Sequence, residues 1–174
     1  RRPLPLPPNP TARRGTAFHA WLEKRFGSRA LLDLDELPGS ADSDAAPDAD
    51  LDALKDAFLA SPWAERVPHE VEVPFTCDVA GISLRGRMDA VFADPDGTWT
   101  VIDWKTGALP REDDLPALTV QLAAYRLAWS SLSGTPVAEV RAAFHYVRQN
   151  HTLRPADLLD GDGLRALLRA VPAG

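Results

Sequence analysis

The stretch GRMDAVFADPDGTWTVIDWKTG, residues 86–107, decides the fold class. Met88, Ala90 and Phe92 alternate with other residues as a strand does, and Trp99 to Trp104 is a second β-rich run. Asp94-Pro95-Asp96-Gly97 between them is a strong turn signal, so the two runs form a hairpin. Asp89 interrupts an otherwise apolar strand pattern, where an unpaired carboxylate is costly. Asp103 emerges from the buried Val101-Ile102 pair. Residues two apart on a strand share a face, so Asp103 and Lys105 project together, roughly 6–7 Å apart along the strand. The hairpin returns Asp103 toward Asp89, with a register that pattern alone leaves open.

Outward from this hairpin, Val71, Val73 and Phe75 alternate as a preceding strand, and Ala80-Gly81 turns it into the strand of Ile82 and Leu84. Residues 139–147 alternate as a fourth strand. Thr11 is the expected N-cap of a helix to Phe26, with Phe18, Leu22 and Phe26 on one face and Gly27 as its stop. Asp50 to Leu59 forms a second helix, closed by Ser61-Pro62. Leu115 to Leu132 forms a long helix carrying Leu118, Leu122, Tyr125 and Trp129 on one face, and Pro155 to Val171 a short closing helix. Residues 1–10 hold five prolines and are expected to be an extended linker from an upstream region. Residues 38–50 are small and acidic and are expected to be a mobile loop. The expectation is therefore an α/β domain over 11–174, with a small mixed four-stranded sheet in the order α-α-β-β-β-α-β-α.

Composition narrows the function classes. The 174 residues carry a net charge of −6, which disfavours a protein that coats nucleic acid by charge alone but allows an enzyme gathering acids around a cation. A single cysteine, Cys77, excludes an internal disulfide and a cysteine-rich zinc or iron–sulfur site. No apolar run is long enough for a bilayer and no signal pattern opens the chain, so a cytoplasmic location with no membrane partner is expected. The first residue is Arg1 and the only methionine is Met88, which suggests a piece of a longer protein.

Two carboxylates and an ammonium at one sheet end suit phosphodiester hydrolysis. Paired carboxylates hold a hard divalent cation, which polarises a phosphoryl oxygen and lowers the pKa of water. The lysine offsets charge growing on the phosphorus oxygens. Alone, D-x-K is common and reads more readily as two solvent-facing residues.

Four segments in order carry a resemblance: GTAFH at 15–19, GRMDAV at 86–91, VIDWKTG at 101–107 and QLAAY at 121–125. With them the chain resembles the RecB-type nucleases of the PD-(D/E)xK superfamily, whose core is restriction-endonuclease-like. It is most similar to the nuclease domain ending actinobacterial AdnB-like helicase–nucleases, relatives of UvrD and RecB. The resemblance implies His19, Asp89, Asp103 and the Trp104 carbonyl as metal ligands, Asp89, Asp103 and Lys105 as the catalytic set, and Mg²⁺ or Mn²⁺ as cofactor without an iron–sulfur cluster. Gln121 and Tyr125, one helical turn apart, would support the site and contact DNA. Glu72 is the candidate auxiliary acid, with Glu70 its rival on the same strand face, and Arg87 is a candidate phosphate contact.

Outside that context His19 reads as a helix-surface histidine, Gln121 and Tyr125 as packing groups, and Arg85 and Arg87 as solvated positions. Trp21, Trp63, Trp99 and Trp129 read as core, and of His145 and Tyr146 one faces inward in either register. The function implied is a DNA exonuclease module of a helicase–nuclease that processes double-strand-break ends, fed a single strand by an upstream helicase region and working with a second subunit. The alternatives are an inactive nuclease-fold module for DNA guiding or protein interaction, or a freestanding nuclease on other nucleic acids.

Overall fold

The computed structural model describes residues 10–31, 49–79 and 82–155, together with Asp162, Gly163 and Ala166. Helix α1 spans Pro10–Leu31 and α2 spans Ala49–Leu59. Strands β1 (Glu70–Val79), β2 (Ile82–Ala93) and β3 (Trp99–Lys105) follow. Helix α3 (Leu115–Ser133) leads to β4 (Val140–Tyr146) and β5 (His151–Leu153). The five strands form one sheet in sequence order, with β3 and β4 parallel and every other pair antiparallel. A parallel pair needs a crossover, and α3 supplies it.

Three expectations are corrected. Among the described residues the sheet has five strands, not four. Tyr146 pairs with His151 across a tight turn in which Asn150 adopts φ 46°, a left-handed conformation asparagine tolerates. A three-residue strand is too short to show a hydrophobic period. Gly27 does not stop α1, which continues to Leu31, and Thr11 is not its cap because the helix starts one residue earlier at Pro10. Proline is accommodated in a first turn, where its missing N–H has no intrahelical partner to lose. Ala49 and Asp50 belong to α2, whereas the rest of the acidic loop, the Ala80-Gly81 turn and the proline-rich start before Pro10 lie outside the described residues. So does most of the expected closing helix, of which Asp162, Gly163 and Ala166 are helical.

The sheet is covered on both faces. Phe18, Leu22 and Phe26 of α1 pack with Leu54 and Phe58 of α2 against Ala90, Phe92, Ile102 and Trp104. Leu122, Tyr125 and Trp129 of α3 pack on the other face against Val101, Ala142, Phe144 and Tyr146. Both His145 and Tyr146 are therefore buried, His145 beside Trp63 and Trp104 and Tyr146 in the core under α3. Trp63 and Trp129 are buried, and Trp21 and Trp99 pack at the margins of the two cores.

The β2–β3 turn is fixed by charge. Asp94 accepts from Arg66 at 2.8 Å and from the Thr100 hydroxyl, while Asp96 accepts from Arg141 at 2.8 Å. This holds the register in which Ala90 faces Ile102, so that Asp89 and Asp103 stand one step further along the same ladder.

Candidate active site

A matched irregularity in β1 and β2 shapes the site. Val71 pairs with Ala90 and Val73 pairs with Met88, which leaves Glu72 and Asp89 between two regular pairs. Residues two apart on a strand normally share a face. Here Val71 and Ala90 pack with the α1 and α2 core, whereas Val73 and Met88 pack with the α3 core. The face changes at Glu72, whose φ of 52° is left-handed. Such a conformation costs a residue with a Cβ about 1–3 kcal/mol and persists only where its surroundings impose it. Its consequence is that Glu72, Asp89 and His19 each present a ligand atom within 4.8 Å of the others.

His19 comes from the middle of α1 and lies between two partners. Its Nε2 is 3.1 Å from the Trp104 carbonyl and its Nδ1 is 3.6 Å from Asp89 Oδ2. A carbonyl only accepts, so Nε2 carries the proton. Asp89 Oδ2 also accepts the Trp104 backbone N–H at 2.8 Å. The peptide groups flanking Trp104 thus hold one carboxylate and one imidazole at the end of β3. Gly15 lets α1 come this close, since a Cβ there would lie 3.3 Å from Thr106 Oγ1.

Asp103 and Lys105 project from the other face of β3. Lys105 Nζ is 2.7 Å from Asp103 Oδ2, and its ammonium also lies 4.7 Å from the centre of the Phe144 ring. The Tyr125 hydroxyl donates to Asp103 Oδ1 at 2.9 Å and accepts from Gln121 Nε2 at 2.7 Å. Asp103 is only 6% exposed, so these two donors replace most of the water it loses. Behind Tyr125 stands Phe75, edge-to-face with ring centres 5.7 Å apart. Phe75 lies over Gly86, where a Cβ would come within 3.0 Å of its ring.

Burial, reinforced by the neighbouring Asp103, raises the Asp89 carboxyl to about 7 despite the Trp104 N–H and Lys105. Burial and the Asp103 charge push the Tyr125 phenol far above its ordinary range, so it stays a donor. The neighbouring Asp103 charge thus helps keep the buried Asp89 carboxyl protonated in the absence of a cation.

A profile of the PD-(D/E)XK nuclease superfamily matches residues 2–171. The chain belongs to that superfamily. Its mixed sheet with helices on both faces is the restriction-endonuclease-like core of these nucleases. No curated protein matches the sequence closely enough to stand as a relative. Among solved structures, a candidate exonuclease from Eubacterium rectale is similar with a TM-score of 0.54 at 11% identity, over 95% of this chain and 65% of the other. The chain thus spans just under two thirds of that protein. The protein SSO0001 is similar at a TM-score of 0.42 and 20% identity, over 69% of this chain and 56% of the other.

The expected site residues fall into two groups. His19, Asp89 and the Trp104 carbonyl come together, and Glu72 rather than Asp103 completes the set of side chains within one cation's reach. Asp103 instead bonds to Lys105 and Tyr125. Glu70 is not on the site side: it lies beside His69, at 4.0 Å, and the change of face at Glu72 separates the two acids that a regular strand would align. Arg87 pairs with Glu72 at 3.0 Å. Sequence reasoning missed Phe75 and Gly86 as supports of the site. The only local signal was a glycine within a strand pattern, a mark of close approach.

The donor set fits a hard divalent cation. Two carboxylates supply oxygen and His19 an imidazole, a mixture that suits Mn²⁺ as well as Mg²⁺. The carboxyl of Asp89, near neutrality without a cation, would give up its proton on binding one.

Proposed function

We propose that this chain is a divalent-metal-dependent deoxyribonuclease module, acting exonucleolytically on a single strand. In this reading it serves a helicase–nuclease that processes double-strand-break ends, with a helicase region upstream in the same chain and a second helicase–nuclease subunit. The observation that supports the nuclease reading is the meeting of three side chains within one cation's reach, His19, Glu72 and Asp89, with the Asp103–Lys105 pair at one end of β3. The resemblance of the four segments to AdnB-like proteins carries the finer assignment.

Mg²⁺ or Mn²⁺ would supply Lewis-acid polarisation of the scissile phosphate and acidify water. His19, Glu72, Asp89 and the Trp104 carbonyl would hold it, with Asp103 turning to it from the adjacent ladder position. Lys105 would orient the attacking water and neutralise charge developing on the phosphorus oxygens. Tyr125 and Gln121 keep Asp103 in one orientation, so that Lys105 is aimed before substrate arrives. The net charge of −6 is compatible with a nuclease whose substrate is delivered by a tethered motor, because tethering supplies local concentration that surface charge need not.

The test is digestion of end-labelled linear single-stranded DNA with Mn²⁺, with Mg²⁺ and with EDTA, alongside Lys105→Ala. Cleavage that needs metal and disappears in the variant is the expected result. A Lys105→Ala protein that cuts at the wild-type rate would overturn the site. Inactivity of the chain and of any longer parent containing it would favour a guiding module instead.

A further inference from the structure

A nuclease that acts on a polymer must let the chain pass through the site, and two clefts open on either side of the first turns of α3. The wider, about 620 Å³, runs between Lys105, Leu109, Arg111 and Tyr146. The narrower, about 260 Å³, runs between Arg85, Gly86, Phe75 and Tyr125. They share one wall residue, Ala117, which is exposed in the first turn of α3. The reactive groups lie between them. Lys105 lines the wider cleft, Gln121 and Tyr125 line the narrower, and Asp103 is bonded to both Lys105 and Tyr125.

We propose that Ala117 is the saddle over which one polynucleotide strand crosses, running between the Arg85 cleft and the Arg111 cleft past Asp103 and Lys105. The inference rests on the nuclease reading for its choice of polymer and of a single strand, and it adds the path and the residue that the strand must cross. Each cleft joins an apolar wall, Leu109 and Pro110 in one and Phe75 and Leu84 in the other, to an exposed arginine. Apolar walls suit the faces of unpaired bases, and guanidinium groups suit phosphates. The wider cleft falls within the roughly 300–1,000 Å³ that holds small ligands and the narrower lies just below it, so each suits a single unpaired base better than a duplex. Ala117 is the one residue that lines both clefts, so a bulkier or charged side chain there would stand between them. Asp113 and Asp114 line the wider cleft and oppose phosphate, although Asp114 is engaged by the Arg111 backbone N–H at 3.2 Å. The strand is therefore guided rather than tightly held, and binding falls as salt rises.

The experiment is fluorescence anisotropy of a short labelled oligo(dT) in EDTA at low salt, with wild type, Ala117→Glu and Leu132→Glu. Leu132 is 58% exposed near the far end of the same helix, so it receives the same charge away from the path. Glutamate is a good helix former and is favoured in a first turn, so Ala117→Glu keeps its fold, checked by its melting temperature. The expected result is binding by wild type and Leu132→Glu, a loss of about tenfold or more in Ala117→Glu, and weak competition by unlabelled duplex. Ala117→Glu binding as tightly as wild type, no binding by wild type, or duplex competing as well as the single strand would each overturn the path. Because binding is read without metal, a chain that binds in this way yet cleaves neither alone nor within any longer parent would sink the nuclease reading and leave the path standing.

Discussion

The hydroxyl of Tyr125 on α3 donates to the carboxylate of Asp103 on β3 across 2.9 Å, while the same carboxylate holds the Lys105 ammonium. The helix that crosses between the two parallel strands therefore sets the orientation of the acid at the end of the first. Tyr125→Phe removes that donor without changing the ring that packs on Phe75. A hydrogen bond to a charged group is worth about 1.5–3 kcal/mol, so cleavage should fall by about tenfold to a hundredfold. Single-turnover rates on a labelled strand check this, and an unchanged rate would show that Asp103 is oriented by other means.

Gly86→Ala should act on the same chain of contacts from further away. Its Cβ would meet the Phe75 ring at 3.0 Å, and Phe75 leans on Tyr125. Forcing a methyl into such a contact destabilises by about 1–3 kcal/mol, read as a lower melting temperature. Cleavage should drop further than the stability loss explains. A variant that melts and cuts like wild type would mean the ring moves aside freely.

Glu72 separates backbone strain from ligand chemistry. Glu72→Gly accepts φ 52° without a Cβ clash and should raise metal-free stability by about 1 kcal/mol. It should also reduce the rise in melting temperature caused by Mn²⁺. Glu72→Gln keeps the strain and should lose the metal response alone. If Mn²⁺ stabilises both variants as much as wild type, Glu72 is not in the cation set.

Asp89 gives the metal-free protein a pH signature. Its carboxyl is raised to about 7, so between about pH 4 and 7 the folded state binds the proton that the unfolded chain releases. Its contribution to stability is present at low pH and is lost as pH rises through 7. His145, lowered to about 4 chiefly by burial, works in the opposite direction, losing stability as pH falls. Asp89→Asn isolates the first effect: relative to wild type its melting temperature should improve as pH rises from 5 to about 8. In wild type the stabilisation by Mn²⁺ should grow over the same range, since binding must displace the Asp89 proton. A pH-independent difference between the two proteins would contradict the raised carboxyl.

Much of the fold was legible locally. The Phe18, Leu22 and Phe26 spacing announced the buried face of α1, and the DPDG turn announced the hairpin joining β2 to β3. Strand β5 was not legible, because three residues carry no period and its turn depends on Asn150 accepting a left-handed backbone. The end of α1 was not legible, because a glycine such as Gly27 weakens a helix by only about 1 kcal/mol, which neighbouring residues can outweigh.

The sequence by itself determined the chemical inventory, His19, Asp89, Asp103 and Lys105 on elements whose order brings them toward one end of a sheet. Periodicity and turn chemistry act over a few residues, so a single chain displays them. Only the tertiary structure decided that Glu72 joins His19 and Asp89, and that Asp103 turns to Lys105 and Tyr125. That choice depends on cross-strand register and on one left-handed residue that reverses which face β1 presents. Neither is written in local pattern, because strand alternation assumes a regular backbone and the packing of α1 and α3 against opposite faces imposes the exception.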